Sequence, residues 1–194
     1  MGRKILVLTG SPRKNGNTNT VVGWFAEGAK EAGADVEVID TALLKSRNNG
    51  CIACLGCQKS DKYECVVEDD VKPVLARIPD FDVLVFATPT YFFGPSAQLK
   101  LVIDRMYSLI KFDPTEGNYV HNLGHLKWAL ICTGGGDIRP GVSLVDKTFK
   151  TVAGFIGSEC DSLLVSNASM FSDELKQNSE IREQALAFGR KLAS

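Results

Sequence analysis

The stretch KILVLTGSPRKNGNTNT, residues 4–20, decides the fold. Its first six residues, 4–9, are a short, largely apolar run with β-branched members, closed by Gly10 and Pro12. Such a run reads as a strand buried on both faces. A polar turn follows, and then Val21, Phe25, Ala29 and Ala32 recur every three or four residues. That is helical period, with Asn17 and Thr18 expected as caps. Strand, polar turn and amphipathic helix in direct succession predict a parallel sheet wrapped by helices.

The rest of the chain repeats the unit. DVEVID (35–40), DVLVFAT (82–88), KWALICT (127–133) and DSLLVSN (161–167) are the further strand candidates. Between them run helical stripes: Val71, Val74, Leu75 and Ile78, started by Asp69 and Asp70; Leu99, Val102, Ile103, Met106 and Ile110; Val142, Val145, Phe149 and Val152. Ile181, Ala185, Phe188 and Leu192 make the last. Five strands alternating with five helices predict an α/β fold, a three-layer doubly wound five-stranded parallel sheet. With 194 residues and no linker, repeat or low-complexity segment, residues 1–194 read as a single domain.

Composition narrows the function classes. A 44% hydrophobic and 23% charged chain is globular, and a net charge of −1 without a basic stripe argues against a nucleic-acid partner. The apolar run near the N-terminus is too short for a signal peptide, Leu6 breaks the myristoylation pattern, and no run is long enough to span a membrane. The expected compartment is the cytoplasm, where thiols stay reduced.

In doubly wound sheets, ligands sit beyond the carboxyl ends of the strands, where the strand order reverses. The turn TGSPRKNGNTNT (9–20) offers the donors Ser11, Asn17, Thr18 and Asn19, the cation Arg13, flexible Gly10 and Gly16, and a helix N-terminus. These suit an anion. The nucleotide-triphosphate loop fails, because five residues separate Gly10 from Gly16 and Asn17 stands where lysine is required. The dinucleotide fingerprint is missing too, although Asp40 ends the second strand. A terminal monophosphate held without metal fits best; a plain helix cap is compatible with it. After the third strand, TPTYFFGPSAQLK (88–100) presents Tyr91, Phe92 and Phe93 on a loop stiffened by Pro89 and Pro95, suited to a flat heteroaromatic ring. After the fourth, TGGGD (133–137) permits close backbone approach. In a 2-1-3-4-5 sheet these three loops adjoin.

A second feature is CIACLGCQKSDKYEC, residues 51–65, in which Cys51, Cys54, Cys57 and Cys65 are spaced C-x2-C-x2-C-x7-C. The first part is shared with bacterial ferredoxins, but the last gap is longer and Val66 replaces the proline that follows there. Structural zinc pairs two C-x2-C knuckles, which this chain lacks. A [4Fe–4S] site is therefore the best metal reading; thiols without a cluster are the competing one. Cys132, Cys160, Trp24 and Trp128 read as core, and His121 and His125 as solvated loop residues.

LTGSPRKNGNT and PTYFFGPSAQLKLVIDR resemble the NADPH-dependent FMN reductase superfamily of flavodoxin-like proteins, over roughly residues 4–167. The cysteine run brings the likeness closest to its iron–sulfur flavoprotein branch. The resemblance implies FMN, its phosphate held by Ser11, Arg13, Asn17 and Thr18. Pro89, Thr90, Tyr91, Phe92, Phe93 and Gly94 would then line the ring, with Thr133, Gly134 and Gly135 closing its other edge. It implies an oxidoreductase taking electrons from NAD(P)H to a quinone, flavin or protein acceptor, possessing a [4Fe–4S] cluster in one reading. In the alternative, the protein is an electron carrier reduced by ferredoxin without nicotinamide turnover; in a third, a redox sensor. A homodimer or homotetramer is also implied. No side-chain nucleophile or base is expected, since the cofactor would carry the chemistry.

Overall fold

The structure, a computed structural model, describes residues 2–194, the side chain of Ser172 excepted. Strands β1 (Lys4–Thr9), β2 (Asp35–Asp40), β3 (Val83–Tyr91), β7 (Lys127–Thr133) and β8 (Cys160–Val165) form a parallel sheet in the order β2-β1-β3-β7-β8. This is the expected 2-1-3-4-5 arrangement. Val7 pairs in register with Val38 on one side and Val85 on the other. The flavodoxin-like order leaves the carboxyl ends of β1 and β3 side by side.

Alternate side chains on each strand enter opposite layers. Leu6, Leu8, Leu84, Phe86, Trp128 and Leu130 face the layer that contains α2 (Val71–Arg77), α3 (Ala97–Arg105) and α4 (Ser143–Phe155). Phe86 anchors it, fully buried with its ring centroid 5.1 Å from Trp128 and 4.9 Å from Phe149. Truncating such a ring to alanine costs about 3–5 kcal/mol. Ile5, Val7, Val83, Val85, Ala129 and Ile131 face the other layer, with α1 (Asn17–Glu31) and α6 (Ser179–Ala193). Those two helices touch backbone to backbone. A Cβ on Gly28 would stand 2.2 Å from the Leu186 carbonyl oxygen, and one on Gly189 2.1 Å from that of Phe25. No helix among the described residues is long and apolar enough to cross a membrane.

Four local expectations are corrected. The third helical stripe ends at Arg105 rather than running to Ile110; Met106–Leu109 tightens to a 3-10 turn. The segment beyond it, where His121 was expected on a loop, is a hairpin of β5 (Ile110–Asp113) and β6 (Asn118–His121) off the main sheet. Asp113 Oδ1 accepts from Thr115 N at 2.8 Å, and Gly117 takes the positive φ that closes the turn. The third strand continues to Tyr91 and folds back on β4 (Gly94–Pro95), with Tyr91 opposite Gly94. Finally, Gly16 stands at the N-cap position of α1 and no side chain caps the helix, so neither Asn17 nor Thr18 serves as a cap. A short α5 (Ser172–Lys176) also precedes α6.

Candidate functional site

The loop after β1 is clamped from behind. Gly10 N donates to the Ala87 carbonyl at 2.8 Å, and the Gly10 carbonyl accepts from Ser96 Oγ at 2.6 Å. Ser96 also caps α3 by accepting from Leu99 N. A side chain at Gly10 has no room: its Cβ would stand 2.4 Å from Leu99 Cβ. Asn19, expected as a donor to an anion, instead holds the loop together. It accepts from Thr9 Oγ1 at 2.6 Å and donates to the carbonyls of Arg13 and Lys14. The turn is thus tied by hydrogen bonds of the chain itself.

Its open side faces a cleft of about 250 Å³. Ser11, Arg13, Asn17 and Thr18 line one wall; Pro89, Thr90 and Tyr91 a second; Thr133, Gly134 and Gly135 a third. Ten residues singled out in the sequence thus meet where the turn from β1 into α1 faces the ends of β3 and β7. The uncapped start of α1 opens here, where its first N–H groups and positive dipole end suit an anion. Thr18 and Thr133 share a buried hydroxyl–hydroxyl hydrogen bond of 2.8 Å that joins two walls. Asn17 Nδ2 donates to Ser169 O, which leaves Oδ1 buried and unpartnered. A bare acceptor at that point suits a ligand hydroxyl rather than a phosphate oxygen, since two acceptors cannot bond.

Phe92 and Phe93 lie elsewhere. They border an adjacent cleft, also of about 250 Å³, with Asp137, Arg139 and Pro140; Thr90, Gly134 and Gly135 are common to both clefts. Phe92 is 99% exposed. Both residues adopt positive φ, 45° and 66°, because the β3–β4 hairpin must reverse in two residues. Gly94 pairs in that hairpin and lines neither cleft.

A fourth wall was not read from the sequence. Ala168, Ser169 and Met170, after β8, close the cleft. Arg13 Nη2 donates to the Met170 carbonyl at 3.1 Å, and Asn167 N and Ala168 N donate to Gly136 O and Gly134 O. The small residues of SNAS, immediately past a strand end, were the available signal.

The four cysteines of the run gather on one side of α3, around an apolar cavity bordered also by Ile52, Val66 and Tyr107. Cys51 and Cys54 are exposed, Cys65 half-buried and Cys57 buried. Ala53 (φ 52°) and Leu55 (φ 55°) adopt left-handed backbone within this loop. Ala53 N donates to Cys51 Sγ at 3.4 Å and Arg105 Nη2 to Cys65 Sγ at 3.4 Å. Lys111 on β5 ties the loop down by donating to the carbonyls of Cys57, Ser60 and Lys62, and Gln58 bonds both Ile110 O and Phe112 N. Among the described residues, no three His, Cys, Asp or Glu side chains stand as ligands of one ion. The cavity encloses about 20 Å³, room for one water. A polynuclear group needs more room than that. The donor set nevertheless suits one: four thiols, amide and guanidinium donors to sulfur, and an apolar wall.

Beneath the cavity lies a buried ion pair. Arg105 Nη1 donates to Asp69 Oδ2 at 2.6 Å, with side chains 2% and 4% exposed. Burial opposes the guanidinium charge, but hydrogen bonds to Asp69 and Cys65 outweigh it and raise its pKa. Asp69 also accepts from the Arg47, Val71 and Lys72 amides, so it holds the first amides of α2 as well as balancing Arg105. Cys132 and Cys160 are core residues, as expected; burial pushes both thiols up to about 11. His121 and His125 turn to different neighbours, His121 Nδ1 to Leu123 N and His125 Nε2 to Pro79 O, and form no pair.

The chain is similar to known proteins over most of its length. The sequence profile of the family "NADPH-dependent FMN reductase" matches residues 3–161. An iron–sulfur flavoprotein of Methanocaldococcus jannaschii is 36% identical over 102 residues, covering 53% of this chain and 51% of that protein. The chain therefore matches about half the length of that relative. A Bacillus subtilis protein named as an NAD(P)H-dependent FMN-containing oxidoreductase is 26% identical over 97% of this chain and 96% of its own. Among solved structures, an NAD(P)H:quinone oxidoreductase from Methanothermobacter marburgensis superposes with a TM-score of 0.73 at 18% identity, covering 100% of this chain and 98% of the other. An FMN-dependent NADH-azoreductase from Bacillus anthracis, solved with FMN, gives 0.72 at 16%, covering 99% and 100%. At such identities the likeness concerns the fold.

Proposed function

Since the chain belongs to the NADPH-dependent FMN reductase family, we propose that it is an FMN-dependent NAD(P)H oxidoreductase. The acceptor is a quinone, a flavin or another protein. The observation that carries this reading is the cleft itself, where an uncapped helix N-terminus, Ser11 and Arg13 meet the Pro89–Tyr91 and Thr133–Gly135 walls.

Each wall has a task. The α1 N-terminus, the Ser11 hydroxyl and Arg13 receive the phosphate dianion. Asn17 Oδ1, buried and bare, accepts from a hydroxyl of the sugar chain. Tyr91 and the Thr133–Gly135 backbone hold the ring edges, while the Ala168–Met170 loop excludes water from the phosphate end. FMN held there would supply the redox chemistry between the nicotinamide and the acceptor. The side chains bind and orient; none serves as nucleophile or base. Cys51, Cys54, Cys57 and Cys65 would hold a [4Fe–4S] cluster, which supplies a one-electron outlet. The exposed Phe92, Phe93 and Met170 around the clefts support a homodimer or homotetramer that covers this rim.

The test is anaerobic purification followed by an absorption spectrum, iron assay, and NAD(P)H oxidation with a quinone. One FMN per chain and turnover well above that of free FMN are expected. A second reading, an electron carrier reduced by ferredoxin, is favoured by the exposed Cys51 and Cys54 at the surface. FMN and iron without nicotinamide turnover would establish it instead.

A further inference from the structure

Two buried hydrogen-bond donors border the cysteine cavity with nothing to donate to. Arg105 Nε and Ser108 Oγ are both without a partner, and both residues are 2% exposed. They lie three positions apart, where α3 tightens into the Met106–Leu109 turn, so both stand on the helix side of the cavity. An arginine Nε–H has no lone pair and only an acceptor can satisfy it. The rest of the guanidinium is fully engaged: Nη1 with Asp69, Nη2 with Val67 O and Cys65 Sγ. Leaving such donors dry is unfavourable unless a ligand completes them. Tyr107, the one other polar side chain of the lining, bonds neither donor, and the remaining side-chain acceptors around the cavity are the four thiols.

We propose that Arg105 and Ser108 are tuning residues for the cysteine site, donating to its sulfur atoms and raising the potential at which an iron–sulfur group there accepts an electron. This rests on the cluster reading above. The step concerned is the gain of one electron, with no bond formed or broken. Reduction makes the group more negative, so donors favour the reduced form. The buried Asp69 carboxylate offsets part of the Arg105 charge, which leaves hydrogen bonding as the main lever.

Ser108→Ala separates tuning from scaffolding, because its two effects have opposite signs. In metal-free protein, removing an unsatisfied buried hydroxyl leaves the melting temperature unchanged or raises it. In anaerobically reconstituted protein, titrated with dithionite and followed by electron paramagnetic resonance, the same variant favours the oxidised form. The reduced-to-oxidised ratio at fixed potential falls about tenfold, a shift of about 59 mV for one electron. Ser108→Thr, which keeps the hydroxyl, restores the wild-type potential. Arg105→Met combined with Asp69→Asn removes both buried charges together, so the fold is not left with an orphaned carboxylate; it lowers the potential further at unchanged iron content. Full iron with unmoved potentials in both variants overturns the tuning role and leaves the cluster standing. Wild-type protein that takes up no iron on reconstitution overturns the cluster and this role together.

Discussion

Thr18 at the start of α1 and Thr133 at the end of β7 bring their hydroxyls within 2.8 Å, although 115 positions separate them in sequence. Both are buried, at 1% and 3% exposure. The bond fixes the distance between the helix N-terminus and the glycine loop, and so the width of the cleft. Thr18→Val should destabilise the protein by about 1–3 kcal/mol, because Thr133 is left with an unmade hydrogen bond. The double variant with Thr133→Val should recover part of that loss. Melting curves of the three variants, with FMN titration by fluorescence, check both points. A double variant as unstable as the summed singles would show no coupling.

Ser11→Ala tests the phosphate assignment. Its hydroxyl is held only by long contacts, 3.3 Å to Arg13 O and 3.4 Å from Arg13 N, so it is available to a ligand. One hydrogen bond to a charged group is worth about 1.5–3 kcal/mol. FMN affinity should therefore fall by roughly ten- to a hundredfold, with the melting temperature of the apoprotein nearly unchanged. Unaltered affinity removes Ser11 from the site.

Gly10→Ala should damage the fold rather than the ligand contacts. The new Cβ would meet Leu99 Cβ at 2.4 Å and Ser96 Oγ at 2.6 Å, where a strand end, a helix start and the loop converge. Overpacking of this kind costs about 1–3 kcal/mol. A fall of several degrees in thermal midpoint is expected. Calorimetry decides it.

Acid stability should depend on Asp69. Burial raises its pKa, but hydrogen bonds from Arg105 and the Arg47 and Val71 amides outweigh that and hold it below the usual carboxylate range. A depressed folded pKa stabilises above the unfolded value, near 3.9, and that stability is lost as pH falls through the folded value. Asp69→Asn should lose about 3–5 kcal/mol at neutral pH, since Arg105 is left buried and unpaired. It should also show a flatter acid limb than wild type in urea unfolding from pH 2 to 7. Parallel acid limbs would assign the pH dependence elsewhere.

Thiol labelling of metal-free native protein at pH 8 should separate the cysteines. Exposed Cys51 and Cys54 should react quickly with iodoacetamide, while Cys132 and Cys160, buried with thiols pushed up to about 11, stay unmodified until unfolding. Peptide mass mapping identifies the modified positions. Early labelling of Cys132 would contradict its place in the core.

The order of strands, the two-sided burial and the ligand edge were legible in the sequence because each is written in short-range pattern. A run such as residues 4–9 has no polar face, and helical stripes recur where a strand crosses over. The first wall of the cleft was legible for the same reason: Ser11 and Arg13 follow a strand directly, and Asn17 and Thr18 open the next helix. Four cysteines within fifteen positions likewise announced a common site. Tertiary structure decided what pattern does not encode. It turned Asn19 inward and sent Phe92 into solvent. It brought Ala168–Met170 over the cleft and placed Arg105 and Ser108 beneath thiols forty or more positions away. These outcomes depend on which loops meet at a sheet edge and on which polar atoms find partners there. Neither is a property of any one segment, because hydrogen-bond satisfaction is settled between segments only after the layers have packed.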